Sequence, residues 1–321
     1  MWVAGARPRT FPAAVVPVAV GTAAGYLSSG QFTVMTPQIT RTCHVEVCTG
    51  YVRHLSVLNA GLALVVALGI QIGTNYVNDY ADGVRGTDEK RVGPVRLVAG
   101  GLATARAVKR AALLAFGVAG VAGLILAANV TWWFIPIGFL CGISGWAYTG
   151  GPHPYGYLGL GEVFVFVFFG LVATAGSAYV QHAPLVISLD HHSFTHSYAW
   201  GMALWAGVPV GLLSAALLQA NNLRDMVTDK VAGKKTLAVR VGRQYAGLLY
   251  GFTLMGVALS IGVLWHYRRW SLVALLAMPL AFPPVRLALS DKTGRPLLSM
   301  LADTARLQVA VGLLLTVGLL A

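Results

Sequence analysis

Apolar stretches about as long as a bilayer is thick recur from one end of this 321-residue chain to the other, and no polar linker divides them. A helix that crosses the hydrocarbon core needs about 20 mostly apolar residues. Nine segments qualify, at about 11–29, 56–79, 107–128, 131–149, 160–181, 198–222, 245–266, 270–289 and 304–321. In lipid every backbone polar group must be satisfied internally, so segments of this kind fold as helices packed on one another. The expected fold class is therefore all-α, a polytopic membrane bundle of about nine transmembrane helices forming a single unit over residues 1–321. Composition agrees, with 56% hydrophobic and only 11% charged residues, against about 25% charged in soluble domains. A soluble globule, a disordered chain and a disulfide scaffold are all excluded on that ground. The first segment follows Arg7 and Arg9 and is long for a secretory signal, so it reads as a retained first helix.

The net charge of +12 does not point to nucleic acid, because the basic residues lie between the apolar segments. There they set topology. With the N-terminus cytoplasmic, 19 of the 23 Lys and Arg residues fall in the cytoplasmic loops, and only Arg41, Arg53, Arg268 and Arg269 fall outside. That asymmetry selects an inside N-terminus, and nine spans then leave the C-terminus outside. Cys141 reads as a packing residue. Cys43 and Cys48 share an outside loop with His44, where they are free to pair in an oxidising compartment. A zinc site there would lack ligands, and the His182, His191, His192 and His196 group reads as solvated surface.

Six of the 11 acidic residues fall in two short windows. The first runs from Asn75 through Asn78, Asp79 and Asp82 to Asp88 and Glu89, at the end of the second segment. At about 100° per residue, positions 75, 78, 79 and 82 share one face. The second runs from Asn221 and Asn222 to Asp225 and Asp229 at the end of the sixth segment, where 222, 225 and 229 share a face. Each window leads into a glycine-bearing basic stretch, 90–96 after the first and 230–235 after the second. Four segments separate the windows, so both emerge on the same side, as in a parallel internal repeat. Solvated helix ends are the plain alternative for one such cluster. Two copies argue for a ligand, because stacked carboxylates near a bilayer cost about 2.5–3.5 kcal/mol each at a helix centre and repel one another. A divalent cation relieves both penalties, and oxygen-only ligands select a hard one such as Mg²⁺ shared with a phosphate-bearing substrate. Pyrophosphate fits the cationic surroundings.

The runs N-x-x-N-D-Y-x-D-x-x-x-G-T-D, R-V-G-P-V-R-L-V, Y-T-G-G-P-H-P-Y-G-Y-L-G-L-G-E and N-N-L-R-D-x-x-x-D-x-x-x-G-K-K-T-L-A-V-R-V-G closely resemble the UbiA superfamily of intramembrane prenyltransferases. Within it they resemble the 1,4-dihydroxy-2-naphthoate polyprenyltransferases of menaquinone synthesis. The resemblance implies a helical bundle around a central cavity open laterally to lipid, with the two aspartate motifs facing each other at its cytoplasmic mouth. It places Asn78, Asp82, Asp225 and Asp229 in the metal motifs, and Asp79 and Asp88 in the naphthoate branch's version of the first motif. Catalytic roles fall on Asp79, Asp82, Asp225 and Asp229. Arg7 and Tyr148 match positions near the diphosphate, and Arg91, Arg96, Arg224, Lys234 and Lys235 are candidates to take up its remaining charge; Asn75 and Asn222 complete the polar motifs. Two departures stand out. Gly86 occupies a position where the broader superfamily carries an acid, and the loop from Gln31 to His54 is long.

The implied reaction transfers a polyprenyl group from an allylic diphosphate to 1,4-dihydroxy-2-naphthoate, with Mg²⁺ and with loss of CO₂ and diphosphate, giving demethylmenaquinone. A different aromatic acceptor, hydroxybenzoate or homogentisate, is the alternative within the superfamily. From another class, an ion-coupled transporter would also bury acids in a helical bundle, although typically near the midplane on inverted repeats.

Overall fold

The computed structural model describes residues 1–27, 55–86, 96–181 and 200–321. Among them there is no strand, and each of the nine apolar stretches is helical. These are α1 (Pro12–Leu27), α2 (Val57–Arg85), α3 (Ala105–Asn129), α4 (Phe134–Ala147), α5 (Gly161–Tyr179), α6 (Trp200–Val231), α7 (Arg243–Leu264), α8 (Arg269–Ala288) and α9 (Arg295–Leu320). Seven of them, α2, α3 and α5 to α9, are long and apolar enough to cross a membrane. The 14 residues of α4 rise only about 21 Å, short of a hydrocarbon core of about 30 Å, and α1 is likewise short. Cys43, Cys48, Asp88, Arg91 and the histidines of 182–196 lie outside the described residues.

Local signals explain where the helices start and stop. At the start of α2 the Ser56 hydroxyl accepts the Asn59 N–H at 3.2 Å, and Thr104 caps α3 through the Ala107 N–H, each satisfying an otherwise orphaned amide. Gly86, at φ 69°, ends α2 in the left-handed conformation that favours glycine. The same end of the molecule gathers the tails of α2 and α6 and the 148–160 segment: Arg85 donates to the carbonyls of Thr149 and Gly151, and the Lys235 N–H donates to the Tyr157 carbonyl at 3.1 Å. At the opposite end the Ser56 N–H donates to Gln181 at 2.8 Å and Asn59 to the Val180 carbonyl at 3.0 Å, tying the start of α2 to the end of α5.

Lipid tails are as apolar as leucine, so close backbone approach rather than a hydrophobic drive holds such helices together. Glycine makes that approach possible between α5 and α6. A Cβ on Gly211 would meet the Phe166 carbonyl oxygen at 2.8 Å, and one on Gly170 would fall inside contact distance of the Gly211 Cα. Phe166–Val172 of α5 is wound as a π-helix, a local widening often found at functional sites, and it faces α6 at this crossing. Gly170→Leu is accordingly expected to force α5 off α6 against backbone that cannot yield. A thermal melt of the purified protein should show a loss of several degrees, and an unchanged melt would mean that this crossing is looser than described. Elsewhere α3 packs along α2, α7 along α6, and α9 along both α8 and α1.

Candidate active site

Between these helices lies a cavity of about 760 Å³. Most of its wall is apolar, built from Ala63 and Ile70 of α2, Phe116 of α3, Phe139 of α4 and Phe164 and Phe168 of α5. Phe139 is also 68% exposed, so the cavity opens sideways past α4. Its other end is polar, where the tails of α2 and α6 meet the 148–160 segment.

Asn75, Asn78 and Asp82 line that polar end, as the stripe on α2 requires. Asp82 is only 2% exposed and is the hub. Its Oδ1 accepts the Tyr157 hydroxyl at 2.6 Å and pairs with the Lys234 ammonium at 2.9 Å, while Arg96 approaches Oδ2 at 4.0 Å. Lys234 reaches inward because Gly233 turns the chain at φ 73° just after α6, and its ammonium also sits 4.9 Å from the Tyr157 ring centre. Asn78 accepts the Thr149 hydroxyl. Tyr148 lines the cavity too, and its ring stands edge-on to Tyr155, 5.5 Å between centres. Burial pushes the Tyr155 phenol up to about 12, so it stays a donor and holds the Ser144 carbonyl at 2.9 Å.

Asp79 has a different place from the one its position in the motif suggests. One residue on from Asn78, it is turned about 100° away, is 1% exposed and does not line the cavity. Its two oxygens accept the backbone N–H groups of Leu97 and Val98 at 2.9 and 3.0 Å. Asp79 thus clasps the turn that carries Arg96 into the cavity.

On α6, Asn222, Arg224 and Asp229 line the cavity and Asp225 does not. Arg224 folds back on its neighbour, with Nε 2.7 Å from Asp225 Oδ1 and Nη2 2.6 Å from Oδ2. Asn222 donates through Nδ2 to Glu162 Oε1 at 2.9 Å. Lys235 is exposed and does not line the cavity, and its backbone N–H is pinned to the Tyr157 carbonyl. Arg7 lines the cavity from the N-terminal segment, in a left-handed conformation at φ 54°. Thus ten of the sequence candidates meet at one cavity, while Asp79, Asp225 and Lys235 stand behind or outside it. Tyr157, Thr149 and Glu162 carried no assigned role in the sequence, although all three lie in the Tyr148–Glu162 run, whose glycines and aromatics were the available signal.

The donor chemistry fits an anion together with a hard cation. Arg7 Nη2 and Arg224 Nη1 are buried without a hydrogen-bond partner among the described residues, and a buried N–H donor left unsatisfied is costly unless a ligand completes it. The carboxylates of Asp82 and Asp229 and the carbonyl of Asn78 are oxygen donors of the kind Mg²⁺ takes alongside phosphate. Among the described residues no three Asp, Glu, His or Cys side chains converge as a metal cage.

Residues 47–319 match the UbiA prenyltransferase family. The chain belongs to that family. A relative from Mycobacterium tuberculosis, a 1,4-dihydroxy-2-naphthoate octaprenyltransferase, is 41% identical over 321 residues, covering 100% of this chain and 96% of its own. The Escherichia coli protein of the same name is 31% identical, over 99% of this chain and 94% of that one. A UbiA homologue from Archaeoglobus fulgidus, solved with DMAPP and Mg²⁺ bound, shares the fold with a TM-score of 0.59 at 14% identity, covering 98% of this chain and 99% of that one. Like other members of the UbiA family, this protein is an all-helical integral membrane protein.

Proposed function

We propose that this protein transfers a polyprenyl group from an allylic polyprenyl diphosphate to 1,4-dihydroxy-2-naphthoate, with loss of diphosphate and CO₂, in menaquinone biosynthesis. The observation that carries this reading is the 41% identity over the whole chain to a naphthoate octaprenyltransferase. The cavity supports it, with an apolar, laterally open body suited to a polyprenyl tail and a cationic end suited to its diphosphate.

The allylic C–O bond breaks as the diphosphate leaves with the electron pair, and the carboxyl-bearing ring carbon bonds to the allylic carbon. Loss of CO₂ returns its bonding pair to the ring, so the product forms as the hydroquinone of demethylmenaquinone. Arg96, Arg224 and Lys234 would hold the departing charge through preorganised donors in a site of low dielectric. Asp82, Asp229 and Asn78 would hold Mg²⁺, which when bound supplies Lewis acidity to the leaving oxygen. Tyr157 and Arg96 keep Asp82 oriented, and Asp79 keeps Arg96 in reach. The apolar walls exclude water from the allylic cation, which would otherwise be hydrolysed.

The test is turnover by the purified protein in lipid nanodiscs with Mg²⁺, a labelled polyprenyl diphosphate and a panel of naphthoate, hydroxybenzoate and homogentisate acceptors. Prenylation of dihydroxynaphthoate with release of CO₂ is the expected result. A product with hydroxybenzoate or homogentisate alone would overturn the choice of acceptor.

We further read the polar end as cytoplasmic, on the strength of the 19-to-4 distribution of basic residues, and the chain as one prenyltransferase unit with a parallel repeat of α2 and α6, on the strength of their matching motifs. In a chain whose three cysteines are replaced by serine, Lys230→Cys should resist a membrane-impermeant thiol reagent in intact cells, and Trp133→Cys, at the opposite end, should react. The reverse pattern would invert the orientation.

A further inference from the structure

Two motif asparagines that line the cavity are held in the same way. Asn75 lies seven residues before Asp82 on α2, and Asn222 lies seven before Asp229 on α6, which puts each about 10 Å, or two turns, below its carboxylate. Both line the cavity, and both are almost fully buried, at 3% and 6% exposure. Asn75 Nδ2 donates to the Ala6 carbonyl at 2.8 Å and to the Thr10 hydroxyl at 3.0 Å. Asn222 Nδ2 donates to Glu162 Oε1 at 2.9 Å. A backbone carbonyl and a carboxylate can only accept, so these partners dictate which way each amide faces. The N–H₂ groups are thus committed to protein acceptors, and the carbonyl oxygens are left as the hydrogen-bonding groups that these two cavity-lining residues can offer a ligand; neither accepts a hydrogen bond among the described residues.

Glu162 itself is 7% exposed and does not line the cavity. Its Oε2 is buried with no hydrogen-bond partner among the described residues. A buried carboxylate with one oxygen unsatisfied costs stability, and a fold that needed only packing at the start of α5 would be better served by an apolar side chain. What Glu162 does is point the amide of Asn222 one way and not the other.

Two fixed carbonyl acceptors from facing motifs suit a ligand that presents two donors. Mg²⁺ is held by oxygens at about 2.0–2.1 Å, so a site two turns below Asp82 and Asp229 serves a different group. Resting on the function proposed above, we propose that Asn75 and Asn222 form the acceptor-ring site, each taking a hydrogen bond from a ring hydroxyl through Oδ1, and that Glu162 is a positioning residue for Asn222. A hydroxyl that donates to a carbonyl pushes electron density into its ring, which favours attack by the neighbouring ring carbon on the allylic cation. The site would therefore both place and activate the acceptor.

The experiment compares ligands that differ only in their hydroxyls. Affinities of the purified protein in nanodiscs for 1,4-dihydroxy-2-naphthoate, 1-hydroxy-2-naphthoate and 2-naphthoate are measured anaerobically by fluorescence titration, beside that for a prenyl diphosphate with Mg²⁺. In the wild type each hydroxyl should tighten binding by about tenfold, the worth of a hydrogen bond whose loss strands a buried acceptor. Asn75→Ala and Asn222→Ala should each erase one of those steps and leave 2-naphthoate and prenyl diphosphate within about twofold of wild type. Glu162→Ala should match Asn222→Ala, and Glu162→Gln, which keeps an acceptor oxygen for Nδ2, should stay within about threefold of wild type. Should Glu162→Ala fail to fold, the comparison of ligands on wild type and Asn222→Ala decides the matter. Equal weakening of 2-naphthoate would make these packing residues, and weaker prenyl diphosphate or Mg²⁺ binding would make them part of the diphosphate site; either result overturns the proposal. Wild-type binding that ignores the hydroxyls overturns this site alone, whereas no binding of any naphthoate overturns the proposed function with it.

Discussion

Asp82→Asn should lower turnover by about a thousandfold, equivalent to ~4 kcal/mol in the barrier. The change keeps the side chain's shape and removes one charge, but three groups depend on that charge. Lys234, at 6% exposure, would lose the carboxylate it meets at 2.9 Å, and breaking a buried pair by removing one partner costs about 3–5 kcal/mol; Arg96 would lose its contact with the same group. The same change removes one of the few carboxylates able to hold Mg²⁺ at the cavity. Asp229→Asn, from the facing helix, should cost nearly as much, and the double variant little more than the worse single, as expected of groups serving one transition state. Excess Mg²⁺ should partly restore either single by mass action. Turnover and Mg²⁺ dependence of both singles and the double check this. Near-wild-type singles, or strictly additive losses with an unchanged Mg²⁺ response, would mean two independent solvated helix ends and no shared site.

For Asp79→Ala the expected signature differs, although Asp79 is only three residues away. Its carboxylate holds two backbone N–H groups, and hydrogen bonds to a charged group are worth about 1.5–3 kcal/mol each. Losing both frees the turn at Leu97 and Val98, and Arg96 with it. The KM for prenyl diphosphate should rise by about tenfold or more, while the Mg²⁺ concentration that gives half-maximal activity stays within about twofold of wild type. Asp79→Asn, with one acceptor oxygen left, should fall between. A shift in Mg²⁺ dependence like that of Asp82→Asn would instead return Asp79 to the metal.

The contrast between Asp79 and Asp82 shows how far a motif can be read. Helical periodicity placed both on a polar stripe, and both are buried at the end of α2, yet one faces the cavity and the other faces a backbone turn 18 residues further along the chain. Asp225 repeats the lesson on α6. It belongs to the motif, but the neighbouring Arg224 folds over it with two short contacts, so that the arginine and not the acid meets the cavity. Lys234 and Lys235 are indistinguishable by composition, and the left-handed turn at Gly233 sends one inward and leaves the other exposed.

Hydropathy by itself determined that the chain is a helical membrane protein, because about 20 apolar residues in lipid have one way to satisfy their backbone. The clustering of acids, amides and basic loops at the ends of the second and sixth segments was likewise legible in the sequence, since charge patterning is a property of the chain, and it is this pattern that suits an anion and a hard cation. Which member of each cluster faces the cavity was decided only by tertiary structure. A residue's direction from a helix changes by about 100° with each step, and what it meets there is set by a segment distant in sequence: Leu97 for Asp79, Tyr157 and Lys234 for Asp82, Glu162 for Asn222.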